Sequence, residues 1–219
     1  MEHSNEIRAP QRIVVVGGNA AGTSFVAQAR RRSQAEIILI ERGPYIGYAS
    51  CGLPYYLSGT IPQRDTLLPL SPSLFGKRFG VDVRTGQEAR AIDRDSKTIE
   101  VIDRKTGRYL LNYDKLVLAL GTKAIQPNIP GVDLPNVFTL QNMSDLDLIS
   151  DCLAQPKLRH VTIVGAGFIG LEVAENLRKR KLGITLIERG SQVMGPVDPE
   201  IASVVHSHLI AHDHRIPEQ

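Results

Sequence analysis

The chain has no tryptophan, only two cysteines and little charge imbalance. The missing tryptophan excludes nothing. Two cysteines, Cys51 and Cys152, cannot build the disulfide framework of a small secreted domain. A reducing, cytoplasmic setting is therefore expected. A formal net charge of +3 over 219 residues is too small to argue for a nucleic-acid partner. No apolar run reaches ~18 residues, so no segment reads as a membrane-spanning helix. The polar start, MEHSNEIRAPQR, lacks an apolar signal-peptide core. What remains, 42% hydrophobic and 22% charged, is an ordinary globular composition, with core enough for one large domain or two small ones.

What is present is a repeat. RIVVVGGNAAGTSFVAQARRRSQAEIILIERG begins at Arg12, and HVTIVGAGFIGLEVAENLRKRKLGITLIERG begins at His160. Each reads as apolar strand, glycine turn, amphipathic helix, apolar strand and acid. The first glycines are Gly17 and Gly165, and the acids are Glu41 and Glu188. An acid about 20 residues beyond a glycine turn is the spacing of a dinucleotide-binding βαβ unit. The turn brings backbone N–H groups and a positive helix end against a pyrophosphate, and the acid accepts a ribose hydroxyl. The second copy is a full match, with Gly165, Gly167 and Gly170. The first places Asn19 where the middle glycine belongs, between Gly17 and Gly22. A tight strand–helix turn without a ligand would share either pattern alone, but the duplication favours two dinucleotides, for which FAD and a nicotinamide cofactor are one candidate pair. The expected fold class is α/β, with two Rossmann-like dinucleotide-binding units (the FAD/NAD(P)-binding fold) and an antiparallel β-meander inserted.

The meander is expected between Val81 and Leu120, where VDVRT, EARAIDRD, KTIEVIDRKTG and RYLLNY precede a returning buried strand, KLVLAL. That strand breaks off at Gly121, a ligand contact or a plain loop exit. Prolines 127, 130 and 135 mark a stiff crossing. MSDLDLISDCLAQ reads as an amphipathic helix with Ser144 as its N-cap and Cys152 buried on it. The basic clusters at Arg30, Arg31 and Arg32 and at residues 178–181 fit either helix C-termini or an anionic ligand. In HSHLIAHDH, His206 and His208 would point to different sides of a helix, so no metal site is expected there or at His212 and His214.

One stretch, YIGYASCGLPYY, carries a lone thiol. A helix beginning at Cys51, with Pro54 in its first turn, would favour the thiolate; a buried inert cysteine is the alternative. Together with VVVGGNAAG, YDKLVLALGTKAIQPNIPGVDLPNVFTL, VGAGFIGLEVAENL and VMGPVDPEI, this stretch resembles the FAD-dependent pyridine nucleotide-disulfide oxidoreductases. The similarity covers about Arg12 to Leu209. It points to their single-cysteine branch, which holds coenzyme A disulfide reductases, persulfide reductases, and NADH oxidases and peroxidases. Members with an internal redox pair carry C-x4-C here, whereas this chain has Tyr56 at the fifth position after Cys51.

The resemblance implies a set of roles. Cys51 is the catalytic thiol, paired with external coenzyme A or cycling through a sulfenic acid. Gly17, Gly18, Asn19, Ala20, Ala21, Gly22, Glu41, Arg42, Ala89 and Gly121 contact FAD. Gly165, Gly167, Phe168, Ile169, Gly170 and Glu188 contact NAD(P)H. Ser24, Gln28 and Arg31, spaced on one helix face, and Ser50 contact coenzyme A, with Lys77 and Arg78 adding charge. Glu188 favours NADH, while the adjacent Arg189 leaves NADPH open. The expected domains are a polar extension over 1–11, an FAD-binding part over 12–124, a crossing segment over 125–150, and an incomplete NAD(P)-binding domain over 151–219. Family members are about twice this length and homodimeric, through a domain not found in this sequence. The expected function is thus an FAD-dependent NAD(P)H reductase of coenzyme A disulfide or a related disulfide or persulfide. An NADH oxidase or peroxidase is the alternative, and an inactive truncated fragment the third reading.

Overall fold

A computed structural model describes residues 10–211. Residues 1–9 of the polar extension, and His212 and His214, lie outside the described residues. The chain divides into two compact units. The first holds residues 10–49 and Leu68–Lys123, and the second Ser50–Leu67 and residues 124–211.

The first unit is built on a parallel sheet. Strands β1 (Arg12–Val16), β2 (Glu36–Glu41), β3 (Asp82–Thr85) and β7 (Lys115–Leu118) run in the order β3-β2-β1-β7. Register pairs Val14 with Ile38 and with Leu116. The runs RIVVV and EIILIE are continuously apolar because both sheet faces are covered. Ile13, Val15, Ile37 and Leu39 pack with Val26 of helix α1 (Ala20–Arg32) and Phe75 of helix α3 (Pro72–Phe79). Val14, Val16, Ile38 and Ile40 point the other way, onto Ile99, Val101 and Leu111 of an antiparallel meander. Its strands are β4 (Gln87–Asp93), β5 (Thr98–Asp103) and β6 (Gly107–Asn112). VDVRT is not part of that meander. It forms β3, which pairs in parallel with β2 through Leu39↔Val83, because Val83 packs with the helix-side core.

The second unit is a parallel pair, β8 (His160–Val164) and β9 (Gly183–Ile187), linked by helix α5 (Phe168–Lys179). Helices α2 (Leu53–Ser58), α4 (Met143–Leu153) and α6 (Pro199–Ala211) complete it. Leu146, Ala174, Leu177, Ile184 and Leu186 form its buried centre. The N-cap of α4 is Asn142, not Ser144. The Asn142 side chain accepts from the backbone N–H groups of Ser144 and Asp145 at 2.8 and 3.0 Å, so Ser144 already lies within the first turn. No helix among the described residues is long and apolar enough to cross a membrane.

Candidate functional site

The two glycine turns are built alike. Gly17 and Gly165 have φ +106° and +103°, values that only glycine adopts freely. The Gly17 N–H donates to Ile40 O at 2.9 Å, and the Gly165 N–H to Ile187 O at 2.7 Å. A Cβ on Gly22 would overlap the Gly17 carbonyl oxygen, and one on Gly170 the Gly165 carbonyl oxygen. These third glycines let the helix pack tightly on the turn. The middle position differs. Around Gly167 a Cβ would meet nothing within 4 Å, whereas Asn19 puts an amide there whose Oδ1 is buried and has no hydrogen-bond partner.

The two acids repeat the likeness. Glu41 accepts from the N–H groups of Gly18 and Gly43, both at 2.7 Å. Glu188 accepts from those of Ala166 and Gly190 at 2.8 and 2.7 Å. The Gly190 and Ala166 bonds hold the Glu188 carboxyl below the ordinary carboxylate range, because donated N–H groups favour the ionised form. Glu188 thus stands charged beside its turn, and Glu41 holds the matching position at the end of β2.

The helix ends show what the turns leave open. Helices α3 and α4 have side-chain caps, Ser71 and Asn142. Helices α1 and α5, which follow the glycine turns, have none. Their first N–H groups remain for an anion, where the helix dipole also favours negative charge. In the second unit a cavity of about 520 Å³ adjoins the turn, lined by Gly167, Glu188, Gly190, Ser191, Gln192, Gly195, Val197 and Pro199. The later part of that lining was not singled out by motif spacing, although it falls in VMGPVDPEI. Gln192 Nε2 donates to Val197 O at 2.8 Å and the Met194 N–H to Ala166 O at 2.8 Å, which fixes this loop against the turn.

The remaining residues fall as follows. Phe168 and Ile169 are exposed at the start of α5. In the first unit, the Ala119 N–H donates to Val16 O at 2.8 Å and a Cβ on Gly17 would strike the Ala119 carbonyl. The strand end leading to Gly121 (φ +66°) therefore abuts the first turn. Ala20, Ala21 and Arg42 are exposed, while Ala89 sits half-buried where the β4–β5 register shifts. Ser24, Gln28 and Arg31 are all exposed along α1. In the orientation that satisfies its amide, Gln28 Oε1 accepts from Arg32 at 3.2 and 3.3 Å. Arg30 serves the fold: its Nε and Nη2 donate to Phe79 O and Gly80 O at 2.8 and 2.9 Å, satisfying the C-terminal end of α3.

Ser50 and Cys51 are exposed in the second unit. The helix does not begin at Cys51. Ser50–Gly52 forms a single 3₁₀ turn, and α2 starts at Leu53 with Gly52 as its N-cap, which keeps Pro54 within the first turn. The thiol stands just ahead of the helix, open to solvent. Cys152 on α4 is half-buried rather than buried. Among the described residues no cluster of His, Cys, Asp or Glu is placed to hold a metal.

Comparison with known proteins agrees with this geometry. The pattern of the pyridine nucleotide-disulphide oxidoreductase family matches residues 11–216. A coenzyme A disulfide reductase of Staphylococcus haemolyticus is 36% identical over 201 residues, 91% of this chain and 45% of that protein. An NADH oxidase of Methanocaldococcus jannaschii is 33% identical over 202 residues, 90% of this chain and 45% of that protein. The crystal structure of reduced CoADR-RHD from Bacillus anthracis matches with a TM-score of 0.91 and 44% identity, over 95% of this chain and 38% of that one. The chain therefore spans less than half the length of these relatives. It belongs to the pyridine nucleotide-disulphide oxidoreductase family, whose members use FAD and a nicotinamide cofactor.

Proposed function

We propose that this chain, as a member of that family, carries the nucleotide-binding and thiol elements of an NAD(P)H-dependent reductase of coenzyme A disulfide or a related disulfide or persulfide. The residues present fit both cofactors. For FAD the first turn offers Gly17, Gly18, Asn19 and Gly22, the uncapped end of α1, and the carboxylate of Glu41. For the nicotinamide cofactor the second offers Gly165, Gly167 and Gly170, the uncapped end of α5, and Glu188. FAD, when bound, supplies a two-electron relay between nicotinamide and sulfur. Glu188 would repel a 2′-phosphate and accept a 2′-hydroxyl, which favours NADH; the neighbouring Arg189 is the counterweight.

The sulfur chemistry balances without a metal or a histidine base. The Cys51 thiolate attacks one sulfur of coenzyme A disulfide. A Cys51–sulfur bond to one coenzyme A forms as the original S–S bond breaks, and the other coenzyme A leaves as a thiolate that takes a proton from solvent. Two electrons from NAD(P)H then reduce the mixed disulfide to the Cys51 thiolate and a second coenzyme A thiol. One disulfide, one NAD(P)H and one proton give two thiols and NAD(P)⁺. In the first unit, Ser24, Gln28 and Arg31 on α1 and Lys77 and Arg78 on α3 offer donors for the phosphates and amides of a long anionic substrate; in the second, Ser50 stands next to the thiol.

The observation that carries this reading is the pair of matched glycine–carboxylate turns in a chain with one solvent-open thiol. The identity to an NADH oxidase supports a second reading, with oxygen or peroxide as the acceptor. NAD(P)H oxidation measured under nitrogen separates them. Turnover that depends on coenzyme A disulfide and vanishes in Cys51→Ser supports the first. Turnover that appears only when oxygen or peroxide is admitted supports the second. A colourless protein that releases no flavin on denaturation defeats both and leaves a catalytically inactive fragment.

A further inference from the structure

Residues Ser50–Leu67, which carry Cys51, group with the second unit, although they lie in sequence between two stretches of the first. Packing explains part of this. Leu53, Leu57 and Leu67 are 2%, 2% and 0% exposed. Three polar links add direction. Arg180, at the C-cap of α5, donates through Nη1 to Leu57 O at 3.2 Å, a carbonyl at the end of α2 that has no helical partner. The Tyr55 hydroxyl faces Glu172 Oε1 on α5 at 3.5 Å. The strongest is Arg64, in the 3₁₀ turn Arg64–Leu67. Its Nε and Nη2 donate to the two carboxylate oxygens of Asp147 on α4, at 2.7 and 2.8 Å. Two parallel bonds fix the angle as well as the distance, which a single point charge does not.

Nothing in the nucleotide-turn motifs requires Arg64 or Asp147, and no role in the proposed chemistry touches them. We propose that the Arg64–Asp147 pair is a positioning device for the reacting thiol. It holds the far end of the Cys51 segment against α4, and so restrains a six-residue helix and a 3₁₀ turn that are too short to be stable alone. This rests on the reading of Cys51 as the reacting thiol. The pair touches no reacting atom; it acts through the backbone of residues 52–64.

The test compares the full chain with Asp147→Asn, Arg64→Met, the double variant, and Glu36→Gln. The last breaks the exposed Arg12–Glu36 pair, 2.8 Å, in the first unit and serves as the control. The Cys51 alkylation rate with iodoacetamide, resolved from Cys152 by peptide mass, is expected to change at least threefold in Asp147→Asn and in Arg64→Met. Amide exchange over residues 53–59 should accelerate with it. The double variant should match the singles within twofold, since the second change removes nothing further. Glu36→Gln should leave Cys51 within twofold of the parent. In turnover, disulfide-dependent kcat should fall at least fivefold, with the KM for NAD(P)H within twofold. Should Arg64→Met fail to fold, Asp147→Asn, which preserves volume, decides alone. An unchanged alkylation rate in Asp147→Asn, multiplying effects in the double variant, or an equal response in Glu36→Gln each overturns the assignment. Alkylation and exchange need neither flavin nor turnover, so a failed functional reading and a failed positioning role give different results.

Discussion

Substituting alanine at two glycines of the second turn should separate folding from nucleotide binding. Gly167 has φ −80° and ψ −175°, values open to any residue, and a Cβ there meets nothing within 4 Å. Two small terms oppose each other in Gly167→Ala. Alanine is the poorer N-cap, by about 0.5–1 kcal/mol, while the unfolded chain loses about 0.4–1 kcal/mol of conformational freedom. Stability should stay within about 1 kcal/mol, or roughly 2–4 °C in Tm. In the proposed role of this turn, however, the new methyl group would occupy space that the pyrophosphate needs. Losing one charge-assisted hydrogen bond costs about 1.5–3 kcal/mol, so NADH affinity should fall about 10- to 150-fold. Gly170→Ala behaves oppositely. Its Cβ would overlap the Gly165 carbonyl oxygen and lie 3.1 Å from the carbonyl carbon. The obstruction is backbone, so α5 must move away from the turn. Overpacking of this kind costs about 3 kcal/mol, a drop of roughly 6–12 °C. Thermal melts with and without NADH, together with a titration followed by nucleotide fluorescence, measure both. Unchanged NADH affinity in a folded Gly167→Ala, or an unchanged melt in Gly170→Ala, would refute the reasoning.

Three further outcomes are expected. Cys51→Ser should eliminate coenzyme A disulfide-dependent NAD(P)H oxidation while leaving the melting temperature within about 2 °C, since exposed substitutions rarely exceed ~0.5 kcal/mol; retained turnover in an anaerobic assay removes the thiol from the mechanism. Because Glu188 titrates lower in the folded chain, its contribution to stability is present above the unfolded value of about 4.3 and is lost as pH falls through the folded one. Melting temperature plotted against pH should therefore drop more steeply below pH 4.5 in the parent than in Glu188→Gln, and superimposable profiles would count against the carboxylate's role. Asn142→Ala should lower stability by about 1 kcal/mol through loss of the α4 cap, with Ser144→Ala nearly neutral; reversed effects in a denaturant titration would return the cap to Ser144.

Much of this architecture was legible because it is written in short-range patterns. A glycine whose φ is positive, a second that lets a helix approach, and an acid one strand later all act within about 25 residues, and both copies show them. The unbroken apolar runs around Ile13–Val16 and Ile37–Ile40 read as strands, which they are. What was not legible depends on longer reach. VDVRT alternates like a meander strand, and only the pairing of Val83 with Leu39 puts it in the parallel sheet. Ser144 and Asn142 are both good caps by type, and the choice depends on where the helix is cut by its packing. Arg30 looked like its neighbours Arg31 and Arg32 until Phe79 and Gly80, some 50 positions away, supplied its acceptors. The attachment of the Cys51 stretch to α4 and α5 had no local signature at all, since Arg64 and Asp147 are 83 residues apart.

The division of the chain has a topological consequence. The backbone passes between the two units three times, after Ala49, after Leu67 and after Lys123. Neither unit is one uninterrupted stretch of gene, so trimming from either terminus cannot deliver one without breaking the other. A protease that nicks a single crossing yields two fragments, neither of which is one unit whole and alone. Liberating the half that holds the thiol would take all three scissions, or a gene that begins at Ser50 and joins Leu67 directly to residue 124.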